Sequence, residues 1–409
     1  MRKLFLLLTL SLISSAFYAQ EITNPLLANN VEGQKKWVDS VYNSLSLKEK
    51  IAQLYMVQVF SSQNEAEKTK VLDQIKNNKI GGIIYSKGGP YRQAKLNNEL
   101  QAASQIPMLI GMDAEWGLNM RLDSTYAFPW NMTLGAIKDN ALIERTGKQL
   151  GEHCKRLGVH FNFAPVVDIN TNPNNPIIGN RSFGEDRDNV TKKAAAFMKG
   201  MQSAGVLANA KHFPGHGDTE TDSHETLPTV AFNSKRIDSV ELYPYKALIK
   251  EGLSSVMVAH LNIPSLEPKQ DYPSSISKNI VTTILKERLG FKGLIFTDAL
   301  TMKGAADFKF EGKYDLRTGN KENGAFWSTN DWFGNERWYG LNRLSNDYRL
   351  FSGLYFHYFF KDKKTYYDGS QVKTILSSAE ITPVNKDLKK VIGIEIVKDG
   401  VSIQKIHLF

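Results

Sequence analysis

The sequence predicts an α/β fold whose parallel sheet closes as a (β/α)8 barrel. Three observations carry that prediction. Strand-like and helix-like segments alternate from about residue 45 to residue 305. The strand-like runs are almost continuously apolar, as strands covered on both faces are, instead of alternating with polar residues. Five of the seven runs end in residues able to do chemistry. Barrel enzymes build their sites in this way, from the carboxyl ends of different strands.

The runs cover residues 54–60, 82–85, 107–112, 159–167, 206–210, 255–259 and 293–296. Helical periodicity fills the gaps, clearest at 141–157, 190–205 and 279–289, the last ended by Gly290. The polar residues at the run ends are Asp113 and Glu115, Asp168, Lys211 and His212, His260 and Asn262, and Asp298. A single aspartate after a strand often caps the next helix. Five strands ending this way are better explained by a shared rim. Seven units are recognisable and an eighth strand is not legible. After Ala306 the texture changes to an aromatic- and asparagine-rich segment (308–360) without the strand–helix rhythm. The end of the chain, 391–408, reads as two short strands around Lys398-Asp399-Gly400, a hairpin pattern. The expected organisation is a leader over 1–19, a barrel domain over 20–306 and an atypical, unassigned tail over 307–409.

Arg2 and Lys3 precede an apolar run at 4–13, and Ala-Phe-Tyr-Ala ends at Ala19. That pattern predicts a secretory signal peptide cut after Ala19, and hence a periplasmic or extracellular protein. The apolar run is too short to span a bilayer, and no cysteine follows the cut to carry a lipid. No membrane insertion is expected after cleavage. Cys154 is the only cysteine, so no internal disulfide forms; it falls on a helical pattern as a small buried apolar residue. Hydrophobic and charged shares of 42% and 23% are those of an ordinary soluble domain. The net charge of +9 is spread without any block of five like charges, which argues against nucleic-acid binding.

The densest chemistry lies at 211–224, Lys-His-Phe-Pro-Gly-His-Gly-Asp-Thr-Glu-Thr-Asp-Ser-His. An apolar run breaks at Pro214, Gly215 and Gly217 into a polar loop at the end of a buried strand. Four readings compete. His212, His216, Asp218 and His224 are potential metal ligands, but Pro214 and Gly215 prevent the helix that would align the first two, and no cysteine joins them. Gly215 and Gly217 resemble a phosphate cradle only weakly, since no wider glycine consensus surrounds them. A histidine steered by a carboxylate, with Asp222 two residues before His224, suits general acid–base work. A purely structural polar loop is the fourth.

The same run is similar to the signature of the β-N-acetylhexosaminidases of glycoside hydrolase family three. Asp113-Ala-Glu-Trp-Gly with Arg121, Gly179-Asn-Arg-Ser-Phe-Gly, and Phe296-Thr-Asp-Ala-Leu resemble that family's other motifs, in the same order. The resemblance covers about residues 35–306. It implies a TIM-type barrel and a retaining exo-β-N-acetylglucosaminidase. Such an enzyme removes terminal N-acetylglucosamine from chitin-type or peptidoglycan-derived oligosaccharides through a covalent glycosyl–enzyme, with no metal or organic cofactor and a carbohydrate as its partner. By resemblance, Asp298 is the nucleophile, His224 the acid/base and Asp222 its partner. Asp113, Arg121, Arg181, Lys211 and His212 hold the sugar, and Gly215 and Gly217 let the loop close over it.

Each role has a plainer counterpart. Asp298 can cap a helix starting near Thr301, Arg121 and Arg181 can form surface ion pairs, and Trp116 and Trp130 can pack instead of stacking on a sugar. A β-glucosidase of the same family and a non-catalytic carbohydrate-binding protein with an incomplete barrel are the alternative functions. The chain departs from the family pattern after Asp298, where a helix, an eighth apolar strand and a closing helix are expected.

Overall fold

The computed structural model describes residues 30–306 and, by backbone alone, four strands at 338–342, 354–360, 391–398 and 401–407. The leader and most of the tail lie outside the described residues. Seven strands are parallel neighbours in chain order: β1 (Tyr55–Phe60), β2 (Gly82–Lys87), β3 (Leu109–Met112), β4 (Phe161–Asn162), β5 (Leu207–Phe213), β6 (Ser255–Val258) and β7 (Leu294–Ala299). They form a curled parallel sheet with helices outside it, as the alternation predicts. Among the described residues no helix is long and apolar enough to cross a membrane.

The apolar runs face two cores, which is why they do not alternate in polarity. Met56, Ile84, Phe161, Phe163, Met257, Leu294 and Phe296 form a small inner cluster. The rings of Phe161, Phe163 and Phe296 meet pairwise at 4.8–5.2 Å between centroids. Their neighbours along the strands, such as Val57, Ile83, Ile110 and Ile295, join the larger outer core beneath the helices.

Local chemistry sets the helix ends. Ser46 with Glu49, and Asn64 with Glu67, form reciprocal capping boxes. Asp139 and Asp186 cap the helices Asn140–Arg156 and Arg187–Ser203. Those two helices cross closely enough that a Cβ on Gly200 would lie 1.8 Å from the Glu144 carbonyl oxygen, so only glycine fits there.

Two features differ from the expected barrel. The fourth run supplies only a two-residue strand, because Pro165 has no N–H to give a ladder; an isolated bridge from Val166 to Lys211 continues the contact. The eighth position is taken by β8 (Trp338–Asn342), which runs antiparallel to both β1 and β7. A strand there pairs the open edges whichever way it runs, since either ladder satisfies the backbone groups. β9 (Leu354–Phe360), β10 (Val391–Lys398) and β11 (Val401–His407) form a separate antiparallel sheet in the order β11–β10–β9.

Candidate active site

The carboxyl ends of β3, β5, β6 and β7, with the loop after β4, bring Asp113, Glu115, Asp168, Lys211, His212, His260 and Asp298 to one end of the sheet. Lys211 lies at its centre, buried, with Nζ 2.8 Å from Asp113 Oδ1 and 2.7 Å from Glu115 Oε1. Arg121, from the loop after β3, reaches Asp113 Oδ2 at 2.6 Å. Arg181, from the loop after β4, donates two parallel bonds to Glu115, Nε to Oε2 at 2.9 Å and Nη2 to Oε1 at 2.7 Å. Both arginines are mostly shielded, so they are not surface ion pairs. The network alternates sign, as charges taken out of water must. Burial pushes the Asp113 and Glu115 carboxyls up, but Lys211 with Arg121, and Arg181 with Lys211, outweigh it and hold both below the usual range, Glu115 at about 2.

Arg181 Nη2 also lies 3.2 Å from His212 Nε2. A guanidinium can only donate, so Nε2 is the acceptor and Nδ1 carries the proton, given to Asp168 Oδ2 at 2.7 Å. Asp168 further accepts from the backbone N–H of His216 at 2.7 Å. It therefore holds both the end of β5 and the start of the following loop. Burial raises the Asp168 pKa, and the His212 and His216 contacts more than reverse it.

Asp298 is half-buried, and its Oδ1 accepts from the Ala299 N–H at 2.7 Å. That bond lies within β7, so the carboxylate does not cap the helix Lys303–Ala306. Burial raises the pKa of Asp298, but His212, His260, the Ala299 N–H and Lys211 favour the ionised form and bring it below its ordinary value. Near the tip of the loop, Asp222 Oδ1 accepts from the His224 backbone N–H and contacts His224 Nδ1, both at 2.7 Å. The His224 side chain is 62% exposed. Backbone N–H groups of Lys303 and Gly304 donate to the carbonyls of His224 (3.4 Å) and Ser223 (3.1 Å). The histidine-bearing loop is thus fastened to the segment that follows Asp298.

The loop is less free than its glycines suggest. Residues 213–217 are buried, and a Cβ on Gly217 would sit 1.9 Å from the Ile169 carbonyl oxygen. Gly217 therefore permits close packing and is not a hinge; the exposed positions begin at Glu220. His216 is buried, with Nδ1 2.7 Å from Thr219 Oγ1 and Nε2 3.0 Å from Ser223 Oγ, pinning the loop internally. The four residues considered as metal ligands take separate partners: Asp168 and Arg181 for His212, Thr219 and Ser223 for His216, Arg236 for Asp218 and Asp222 for His224. Trp116 and Trp130 pack against each other, with centroids 4.1 Å apart and ring planes tilted by 38°. Cys154 is fully buried, and burial pushes its thiol up to about 12.

Glu115, Asp168 and His260 stood on the expected rim without roles. The structure makes Glu115 the anchor of Arg181 and Lys211, and Asp168 the anchor of His212. For Glu115 the available signal was its place two residues after Asp113, on the same strand exit.

A curled parallel sheet with an alternating charged rim is the scaffold of a barrel enzyme. The family described as "Glycosyl hydrolase family 3 N terminal domain" matches residues 46–315, and the chain belongs to it. It is 37% identical over 252 residues to beta-hexosaminidase A of Pseudoalteromonas piscicida, covering 56% of this chain and 42% of that protein. It is 34% identical over 252 residues to a beta-hexosaminidase of Neisseria meningitidis serogroup C, covering 59% and 68%. Among solved structures, a glycoside hydrolase family 3 beta-N-acetylglucosaminidase from Paenibacillus sp. superposes with a TM-score of 0.61 at 38% identity, over 64% of this chain and 51% of that one. The chain spans about half the length of several of these relatives.

Proposed function

We propose that this chain is an exported, retaining exo-β-N-acetylglucosaminidase acting on terminal N-acetylglucosamine of chitin-type or peptidoglycan-derived oligosaccharides, with β8 serving as a substitute eighth stave. The observation that carries this reading is the fastening of His224 and Ser223 to Lys303 and Gly304, five and six residues beyond Asp298. It draws an ionised carboxylate and a carboxylate-steered imidazole toward one cleft. Asp113, Arg121, Arg181, Lys211 and His212 supply charged hydrogen bonds that hold the sugar.

In the first step Asp298 attacks the anomeric carbon. The bond to the leaving oxygen breaks, and His224, entering as the imidazolium with its Nδ1–H on Asp222, gives that oxygen the Nε2 proton and becomes neutral. In the second step Nε2 takes a proton from water, the water oxygen bonds to the anomeric carbon, and the Asp298 carboxylate leaves. Asp222 holds Nδ1 throughout, so the proton exchanged is always the one on Nε2.

The test compares hydrolysis of an aryl N-acetyl-β-glucosaminide with that of an aryl β-glucoside by the purified protein, its Asp298→Asn variant and its His224→Ala variant. The glucosaminide is expected to be preferred. Asp298→Asn is expected to abolish turnover, and His224→Ala to slow it by about a hundredfold or more, with folding retained. Wild-type rates in either variant, or preference for the glucoside, refute the assignment.

A further inference from the structure

His260 lies two residues beyond β6, is completely buried (0% exposed), and touches none of the charged groups that hold the sugar in the proposed reading. Its Nε2 lies 3.0 Å from the Ala299 carbonyl oxygen and its Nδ1 lies 2.7 Å from Ser275 Oγ. A carbonyl only accepts, so Nε2 carries the proton and Nδ1 accepts the Ser275 hydroxyl. Burial favours the same neutral ring by lowering its pKa.

Ala299 is the residue whose N–H donates to Asp298 Oδ1 at 2.7 Å. His260 therefore holds the carbonyl of the same residue whose N–H aims the Asp298 carboxylate, one peptide further along the chain. Its Cβ in turn lies close to Gly304, where an added Cβ would come within 3.0 Å of it. Gly304 carries the N–H that holds the Ser223 carbonyl, next to His224. The imidazole ties the backbone next to the nucleophile, and the Cβ of the same residue backs onto the segment that moors the proton-transfer loop.

We infer that His260 is a positioning residue that sets Asp298 and the His224 loop in register with each other, through Ala299 and Gly304, without touching substrate. This rests on the roles proposed for Asp298 and His224. Its signature is a loss in kcat with sugar affinity intact, because the Asp113–Glu115–Arg181–Lys211 network makes no bond to it.

The test uses His260→Ala, His260→Gln and Ser275→Ala in the full chain. Measured are kcat and KM on the aryl N-acetyl-β-glucosaminide, the Kd for N-acetylglucosamine by calorimetry, and Tm. His260→Ala is expected to lower kcat by about a hundredfold, the cost of misplacing reacting groups by about 1 Å, with Kd changed less than about twofold. His260→Gln, whose amide N–H replaces the Nε2 donor, is expected to recover to within about tenfold of wild type. Ser275→Ala, which frees the tautomer, is expected to fall between the two.

An unchanged kcat in His260→Ala overturns the inference, as does a parallel loss of affinity and rate. So does a His260→Gln that folds but is as slow as His260→Ala. If His260→Ala does not fold, a Ser275→Ala at the wild-type rate overturns it instead. A wild-type protein that hydrolyses no glucosaminide removes the glycosidase reading and this inference together; an active wild type with an indifferent His260→Ala removes only the latter.

Discussion

Glu115→Gln tests the energetics of the charged network directly. The Glu115 side chain is fully buried, gripped by both Nε and Nη2 of Arg181 and by Lys211 Nζ. Burial opposes its charge, yet the two cations bring its carboxyl from 4.5 to about 2. A folded value below the unfolded one means that ionisation stabilises the fold above about pH 4.5, and that this stability drains away as pH falls toward 2. Its size is about 3 kcal/mol. That agrees with the low end of the cost of removing one partner from a buried ion pair, about 3–5 kcal/mol. Glutamine keeps the shape and removes the charge. In guanidinium titrations the wild-type protein is expected to exceed Glu115→Gln by about 3 kcal/mol at pH 7 and by about half that or less at pH 3. A gap below about 1 kcal/mol at pH 7, or one that stays constant down to pH 3, refutes the reasoning.

Two further outcomes follow from the loop after β5. Gly217→Ala forces a Cβ onto the Ile169 carbonyl, 1.9 Å away, and is expected to cost about 1–3 kcal/mol in thermal or denaturant unfolding; an unchanged Tm refutes the close-packing account. His216 has its pKa lowered from 6.5 to about 4, chiefly by burial and then by His212, so the unfolded chain takes up the proton first. Stability is therefore lost as pH falls from about 6.5 toward 4, and His216→Gln is expected to lose less stability between pH 7 and 4.5 than the wild type. Equal pH dependence of the two counts against it.

The seven parallel strands were legible because burial on both faces writes itself as unbroken apolar runs, and Gly290 (φ +68°) marked a helix end where the structure has one. The direction of β8 was not legible. Trp338–Asn342 lies in an aromatic, glycine-punctuated stretch, and its place is set by the open edges of β1 and β7, not by its own periodicity. In the site, Lys211, His212 and Asp113 stood out as charges at the ends of apolar runs. Arg121 and Arg181 sit at the ends of short 3-10 turns in the connecting loops, where only resemblance marked them. Glu115 and His260 were visible as rim residues, but their roles depend on partners up to 96 positions away, such as Lys211, 66 away, such as Arg181, and 39 away, such as Ala299, and no local pattern encodes those contacts. The glycines at 215 and 217 misled for a related reason. Composition reports that a backbone can approach closely or bend freely, and only packing shows which is used.

In the reading proposed for His224 and Asp298, the loop's construction explains how a proton-transfer group can sit on a surface segment without losing its chemistry. Proton transfer needs hydrogen-bond reach only while substrate is in place, whereas the attacking carboxylate must be aligned throughout. Asp298 is accordingly on a strand and His224 on a loop whose base is buried and whose far side is moored to Lys303 and Gly304. Motion is left to the tip. There Asp222 binds His224 twice, through the backbone N–H and through Nδ1, across only two residues. Contacts that local move with the tip. In the proposed reading the carboxylate therefore keeps Nδ1–H directed at itself whether the loop stands open or lies over a sugar, so that Nε2 is the ring atom that faces the glycosidic oxygen.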